Sequence, residues 1–117
     1  MNRQQFIEYV HKKYKTNPDY PWAKLPDYAV FRHSDNEKWY ALVMDIPSEK
    51  IGIVGAARVD VLELKVAPES VGSLRKKEGI YPAYHMNKEH WITVLLNGPL
   101  DAKEIHCLVQ ESFELTR

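Results

Sequence analysis

Near the start of the chain, apolar residues recur every three or four positions. Phe6, Ile7, Val10 and Tyr14 share this spacing, with Glu, His and Lys among the residues between them. Because an α-helix has 3.6 residues per turn, the pattern places the apolar side chains on one face. It predicts an amphipathic helix over 3–14 that packs against another element.

A second helical pattern closes the chain and carries the clearest start signal. Asp101 can cap free backbone amides, and Glu104, three residues later, completes a capping box. Leu100 and Ile105 occupy the two positions of a hydrophobic staple. The apolar face of this helix continues through Ile105, Leu108, Val109, Ser112 and Phe113.

Strand patterns occupy the middle of the chain. The ranges 28–32, 38–46, 59–66 and 92–96 are short, apolar and bounded by turn residues. Between the last two strands, the range 67–79 has Pro68 at a first-turn position and ends with Gly79, which predicts a helix. The order of helix, two or three strands, helix, strand and helix favours an antiparallel sheet with helices on one side.

Both faces of the predicted sheet are rather apolar. Strict alternation over 38–46 puts Trp39, Ala41 and Val43 on one face, opposite a face formed by Tyr40, Leu42, Met44 and Ile46. Helices can cover one face only. The other is covered by loops such as the one that holds Trp22, which is the favoured alternative, or it is a partner or dimer surface.

Composition and charge narrow the class of protein. The chain has 117 residues and 44% apolar residues, which suits one domain over 1–117. Sixteen Lys and Arg balance sixteen Asp and Glu. Proteins that bind long stretches of nucleic acid usually carry a basic excess, so only a local basic patch is expected. Cys107 is the single cysteine and cannot form an internal disulfide, which fits a reducing compartment. The sequence also shows no signal peptide and no membrane-spanning run, so we expect a cytoplasmic protein.

The densest group of candidate functional residues is "YPAYHMNKEHWITVLLNG" at 81–98. His85 and His90 are five residues apart and would not share a face of a strand or a helix, and no third or fourth ligand is apparent. We therefore expect no metal site. Asn87 is instead predicted to cap the turn, the two histidines to bridge backbone groups, and Trp91 to anchor the turn to the core.

Catalytic patterns are missing from the sequence. Ser73 in "VGSLR" lacks the second glycine of a nucleophile elbow. "IGIVGAAR" at 51–58 lacks the Lys-Ser or Lys-Thr pair of a phosphate-binding loop. No combination of acid, base and nucleophile stands out, so we expect a non-enzymatic protein without a cofactor.

The run "AYHMNKEHW" at 83–91, followed by "TVLLNG", resembles the signature of the MmcQ/YjbR-like family of small bacterial proteins. Weaker likenesses follow in the family's order, including "KWYAL" at 38–42, "LKV" at 64–66 and "GPL" at 98–100. The stretch 47–60 is long for a simple strand connection and departs from the family's shorter versions. No established catalytic residue of the family can be carried over.

The resemblance implies a two-layer α+β sandwich with an antiparallel sheet of about five strands and helices packed mainly on one face. This fold is grouped with type III secretion chaperones and likened to the frataxin shape of CyaY. Family members are often described as predicted DNA-binding proteins with a double-wing motif. That description is largely an analogy of fold, which does not carry function by itself.

Two functions follow from these observations. In the first, the protein binds DNA through a cluster of cationic side chains that contact phosphates. The cluster consists of Arg75, Lys76, Lys77, Lys88 and His90. The negative charges of Glu78 and Glu89 lie within the same segments and oppose such binding. The structural focus of the signature is formed by Tyr84, His85, Asn87 and Trp91. In the second, the uncovered sheet face with Trp39 and Trp91 binds a protein or a small ligand. A monomer and a homodimer are both compatible with the sequence.

Overall fold

A computed structural model describes residues 1–55 and 57–117 of the chain. Ala56, within the long stretch 47–60 and the "IGIVGAAR" motif, lies outside the described residues. The helices are α1 (Arg3–Tyr14), α2 (Val71–Leu74) and α3 (Ala102–Leu115). The strands are β1 (Ala29–Arg32), β2 (Trp39–Pro47), β3 (Arg58–Lys65), β4 (Ile80–Pro82) and β5 (Trp91–Leu95).

The five strands form one antiparallel sheet in the order β1-β2-β3-β5-β4. The predicted α+β class and the number of strands are confirmed. The strand β4 was not predicted on its own, because three residues are too few to show an alternating pattern. The predicted helix over 67–79 is shorter than expected: a 3₁₀ turn at Pro68–Ser70 leads into the single turn of α2.

Helices α1 and α3 cover one face of the sheet. Phe6 and Val10 of α1 and Ile105 and Val109 of α3 are fully buried there. They meet a row of sheet residues that includes Leu62, Leu64, Ile92 and Val94. Burying each large apolar side chain stabilises the fold by about 1.5–3 kcal/mol, so this layer supplies much of the driving force.

Capping boxes begin both long helices. Asp101 accepts a hydrogen bond from the backbone N–H of Glu104 at 2.8 Å, and Glu104 accepts one from the N–H of Asp101 at 3.3 Å. The box predicted for α3 is therefore confirmed. Asn2 and Gln5 form the equivalent pair at the start of α1.

Loops cover the second face of the sheet. Val30, Leu42, Met44, Ile46 and Val61 form a buried cluster there, which we call the loop-side core. The partly buried side chains packed against it include Trp22, Tyr28, Tyr84 and Met86. The favoured alternative, in which loops cover this face, is thus confirmed. The other alternative, an open apolar face that binds a partner, is wrong for this part of the sheet.

A β-bulge changes the faces predicted for β2. Phe31 pairs with Ala41 and Arg32 with Trp39, so Tyr40 is an extra residue in the ladder. Tyr40 consequently points to the helix side, where its ring lies 5.0 Å from that of Phe113. Trp39 packs against the loop-side core. Strict alternation assigned both residues to the opposite faces and was wrong for them, because the bulge shifts the parity by one.

Candidate nucleic-acid interface

The turn between β4 and β5 is organised by Asn87. Its side-chain oxygen accepts a hydrogen bond from the N–H of Glu89 at 2.7 Å. Its carbonyl oxygen accepts from the N–H groups of His90 at 3.3 Å and Trp91 at 2.9 Å. These bonds satisfy donors where the chain turns into β5, as the capping prediction for Asn87 required.

The two histidines of the signature have different positions. His85 is exposed, with a left-handed φ of 64°, and its ring centroid lies 3.9 Å from that of Tyr84. His90 is half-buried, and its carbonyl accepts a hydrogen bond from the N–H of Val66 at 2.9 Å. The left-handed conformation of His85 costs about 1–2 kcal/mol, so the rest of the turn must hold it in place.

Tyr84 and Met86 attach this turn to the rest of the protein. Within residues 1–55 and 57–117, they are the turn side chains that pack against the loop-side core. Trp91 is half-buried and opens β5 opposite Lys65. The anchoring role predicted for Trp91 therefore belongs to Tyr84 and Met86.

Below Tyr84 lies a buried polar group that the sequence analysis missed. Glu63, in the middle of β3, and Thr93, its partner in β5, are both fully buried. Thr93 Oγ1 donates a hydrogen bond to Glu63 Oε2. The backbone N–H of Tyr84 is shared between Glu63 Oε1 and Thr93 Oγ1, at 3.0 Å from each. The alternation of side chains along the two strands could have predicted that Glu63 and Thr93 lie on the same face. Their burial was not predictable, because it depends on where the turn lies in the folded protein.

Burial raises the pKa of the Glu63 carboxyl to about 8. Hydrogen bonds from Thr93 and from the backbone of Tyr84, together with the charge of Lys88, act in the opposite direction. Desolvation dominates because a carboxylate loses its water when it is enclosed by apolar side chains. Glu63 is therefore largely protonated at neutral pH.

A hydrogen bond brings together the two cationic segments predicted from the sequence. Arg75, immediately after α2, donates from Nη2 to the carbonyl oxygen of Lys88 at 3.2 Å. The bond joins α2 to the turn across thirteen positions of sequence. The side chains of Lys76 and Lys88 are exposed, while Arg75 is half-buried. We call Arg75, Lys76, Lys88 and His90 the basic patch.

Lys77 has a different environment from the other predicted cations. Its ammonium lies 2.9 Å from a carboxylate oxygen of Glu104, at the start of α3. This partly exposed ion pair directs Lys77 toward the helix layer. Glu78 and Glu89 are exposed beside the patch, so its positive potential is local.

Residues 1–55 and 57–117 contain no group of three or more His, Cys, Asp and Glu side chains that could hold a metal ion. No helix among them is long and apolar enough to cross a membrane.

The sequence model of the YjbR family matches residues 11–115. The chain belongs to the YjbR family. It is 45% identical to YyaQ of Bacillus subtilis over 117 residues, which cover all of this chain and 99% of YyaQ. It is 39% identical to YjbR of Escherichia coli over 54 residues, or 45% of this chain and 46% of YjbR.

Solved structures give the same family fold. A Pseudomonas syringae protein of known crystal structure has 79% sequence identity to this chain. The two structures superpose with a TM-score of 0.98 over the full length of both chains. A Deinococcus radiodurans protein with a DUF419 domain is 30% identical with a TM-score of 0.61; the match covers 86% of this chain and 67% of that one. These relationships identify the family and the fold, and the function is argued from the site.

Proposed function

We propose that this YjbR-family protein is a non-enzymatic DNA-binding protein of the cytoplasm. The basic patch would contact the phosphate backbone. The observation that carries the proposal is the bond from the Arg75 side chain to the backbone carbonyl of Lys88, which brings the Arg75 guanidinium to the turn that carries Lys88. The thiol of Cys107 is free and exposed, which suits a reducing compartment.

The chemistry of the patch is suited to phosphate oxygens. Lys76 and Lys88 offer exposed ammonium groups, and contact with phosphates would release condensed counterions from the DNA. The net charge of the chain is zero, so the surface outside the patch carries no excess positive charge to attract DNA. Such binding is therefore limited to a few phosphates. The proposed binding is therefore modest in affinity and independent of sequence.

Fluorescence anisotropy of a labelled random duplex tests the proposal. With about three phosphate contacts, raising the salt from about 50 to about 200 mM is expected to weaken binding about 40-fold. The double variant Lys76→Ala/Lys88→Ala should bind more weakly and lower the salt slope by about 2.

A charge-matched control separates the patch from the overall charge. Lys12 and Lys24 are exposed and lie in α1 and in the loop before β1. The variant Lys12→Ala/Lys24→Ala removes the same charge and should retain nearly the wild-type slope. Equal losses in the two double variants, or no binding by wild type at tens of micromolar in low salt, would rule out the proposed patch.

A further inference from the structure

The carboxyl of Glu63 is fully buried and cannot itself contact DNA. It lies between apolar neighbours: Leu42 opposite it in β2 and Val61 on the same face of β3. A fully buried carboxyl is costly unless it is protonated or well hydrogen-bonded. Its polar partners are Thr93 and the backbone N–H of Tyr84, near the start of the turn between β4 and β5, which we call the signature turn.

These hydrogen bonds connect the sheet to the basic patch. Tyr84 is held from below by Glu63 and Thr93, and Lys88 follows four residues later in the same turn. The carbonyl of Lys88 is in turn held by Arg75. A change at Glu63 would therefore act on the segment that positions Lys88.

We propose that Glu63 and Thr93 form a pH-sensitive latch that holds the signature turn at Tyr84 and so positions Lys88 for phosphate contact. The proposal rests on the proposed DNA-binding function. Glu63 would be a positioning residue, which acts on DNA through the turn without touching it.

The surroundings of Glu63 determine the direction of the effect. Strand β2 presents Leu42 and strand β5 presents Thr93, while the turn contributes the backbone N–H of Tyr84 and the charge of Lys88. Loss of the proton near pH 8 would leave a carboxylate beneath the patch. That charge attracts Lys88 inward, away from a phosphate, and repels DNA phosphates. DNA binding should weaken as the pH rises.

The first test needs neither DNA nor a variant. The amide signal of Tyr84 in the ¹H–¹⁵N NMR spectrum of the full chain should shift with a midpoint near pH 8, because its N–H is bonded to the titrating carboxyl. Glu63→Gln should remove this transition, and Thr93→Val should move its midpoint. A flat Tyr84 signal between about pH 6.5 and 9.5 overturns the latch, since a carboxyl pKa of about 8 puts the transition inside that range.

The second test compares DNA affinity at pH 7 and pH 9 in low salt. Wild type should lose about threefold in affinity, because one added negative charge several ångströms from a phosphate repels it only weakly through water. Glu63→Gln, which stays neutral throughout, should lose clearly less. Equal losses in both proteins overturn the link between the latch and the patch.

The two proposals fail in different ways. Salt-dependent DNA binding with no pH transition at Tyr84 overturns the latch and leaves the DNA-binding function standing. A pH transition at Tyr84 without DNA binding at either pH overturns the DNA-binding function, and with it the control of binding by Glu63.

Discussion

The hydroxyl of Ser112 donates a hydrogen bond to the carbonyl oxygen of Tyr40 at 2.6 Å, joining α3 to the bulge in β2. The same hydroxyl accepts a bond from the N–H of Lys65 at 2.9 Å, at the end of β3. Ser112 is fully buried. One side chain therefore satisfies two backbone groups that the sheet ladder leaves unpaired.

Replacing Ser112 with alanine should destabilise the protein by about 1–3 kcal/mol, because two backbone groups lose their partner. Urea denaturation followed by tryptophan fluorescence measures the change. Ser73→Ala provides a control at an exposed serine and should change stability by less than about 0.5 kcal/mol. Similar midpoints for the two variants would contradict the structural role of Ser112.

The carboxyl of Glu63 should make stability fall as the pH rises. Its pKa is raised from 4.5 in the unfolded chain to about 8 in the folded protein. Between pH 4.5 and about pH 8, therefore, the carboxyl is protonated in the folded protein and ionised in the unfolded chain. The contribution of Glu63 is fully present below pH 4.5 and is lost by about pH 8, at about 1.4 kcal/mol per pH unit.

Denaturation at several pH values between 5 and 9 would measure this dependence. Glu63→Gln cannot titrate, so the difference in free energy of unfolding between wild type and variant should change steadily through this range and level off near pH 8. A difference independent of pH would mean that Glu63 is not protonated in the folded protein.

His33 should have the opposite effect at lower pH. It is 5% exposed, and its Nε2 lies 2.7 Å from the hydroxyl oxygen of Thr116. Burial lowers the pKa of His33 below its ordinary value of 6.5, an effect that the charge of Asp35 partly opposes. The stability from the neutral ring is present above pH 6.5 and is lost as the pH falls through the lowered pKa.

The variant His33→Gln separates this effect from that of Glu63. Glutamine can still hydrogen-bond to Thr116 but does not gain a charge in acid. Below pH 6.5 the wild type should therefore lose stability relative to the variant. The measurement is thermal unfolding by circular dichroism in matched buffers, and parallel curves for the two proteins would argue against a neutral buried His33.

Local patterns were sufficient for several parts of the structure. The capping box of Asp101 and Glu104 was predictable because its residues lie within one helical turn. The cap formed by Asn87 was predictable for the same reason. Trp39 and Tyr40 could not be assigned correctly, because their faces depend on a bulge defined by pairing with a different strand.

The sequence by itself determined the α+β class, the two long helices, the family signature and the absence of excess charge. These features depend on periodicity, on neighbours within a few residues, or on composition. Only the tertiary structure decided that Arg75 meets Lys88, that loops cover the second sheet face, and that Glu63 is enclosed beneath Tyr84. Each of these depends on contacts between residues far apart in the chain, and burial and pKa follow from such contacts because they exclude water.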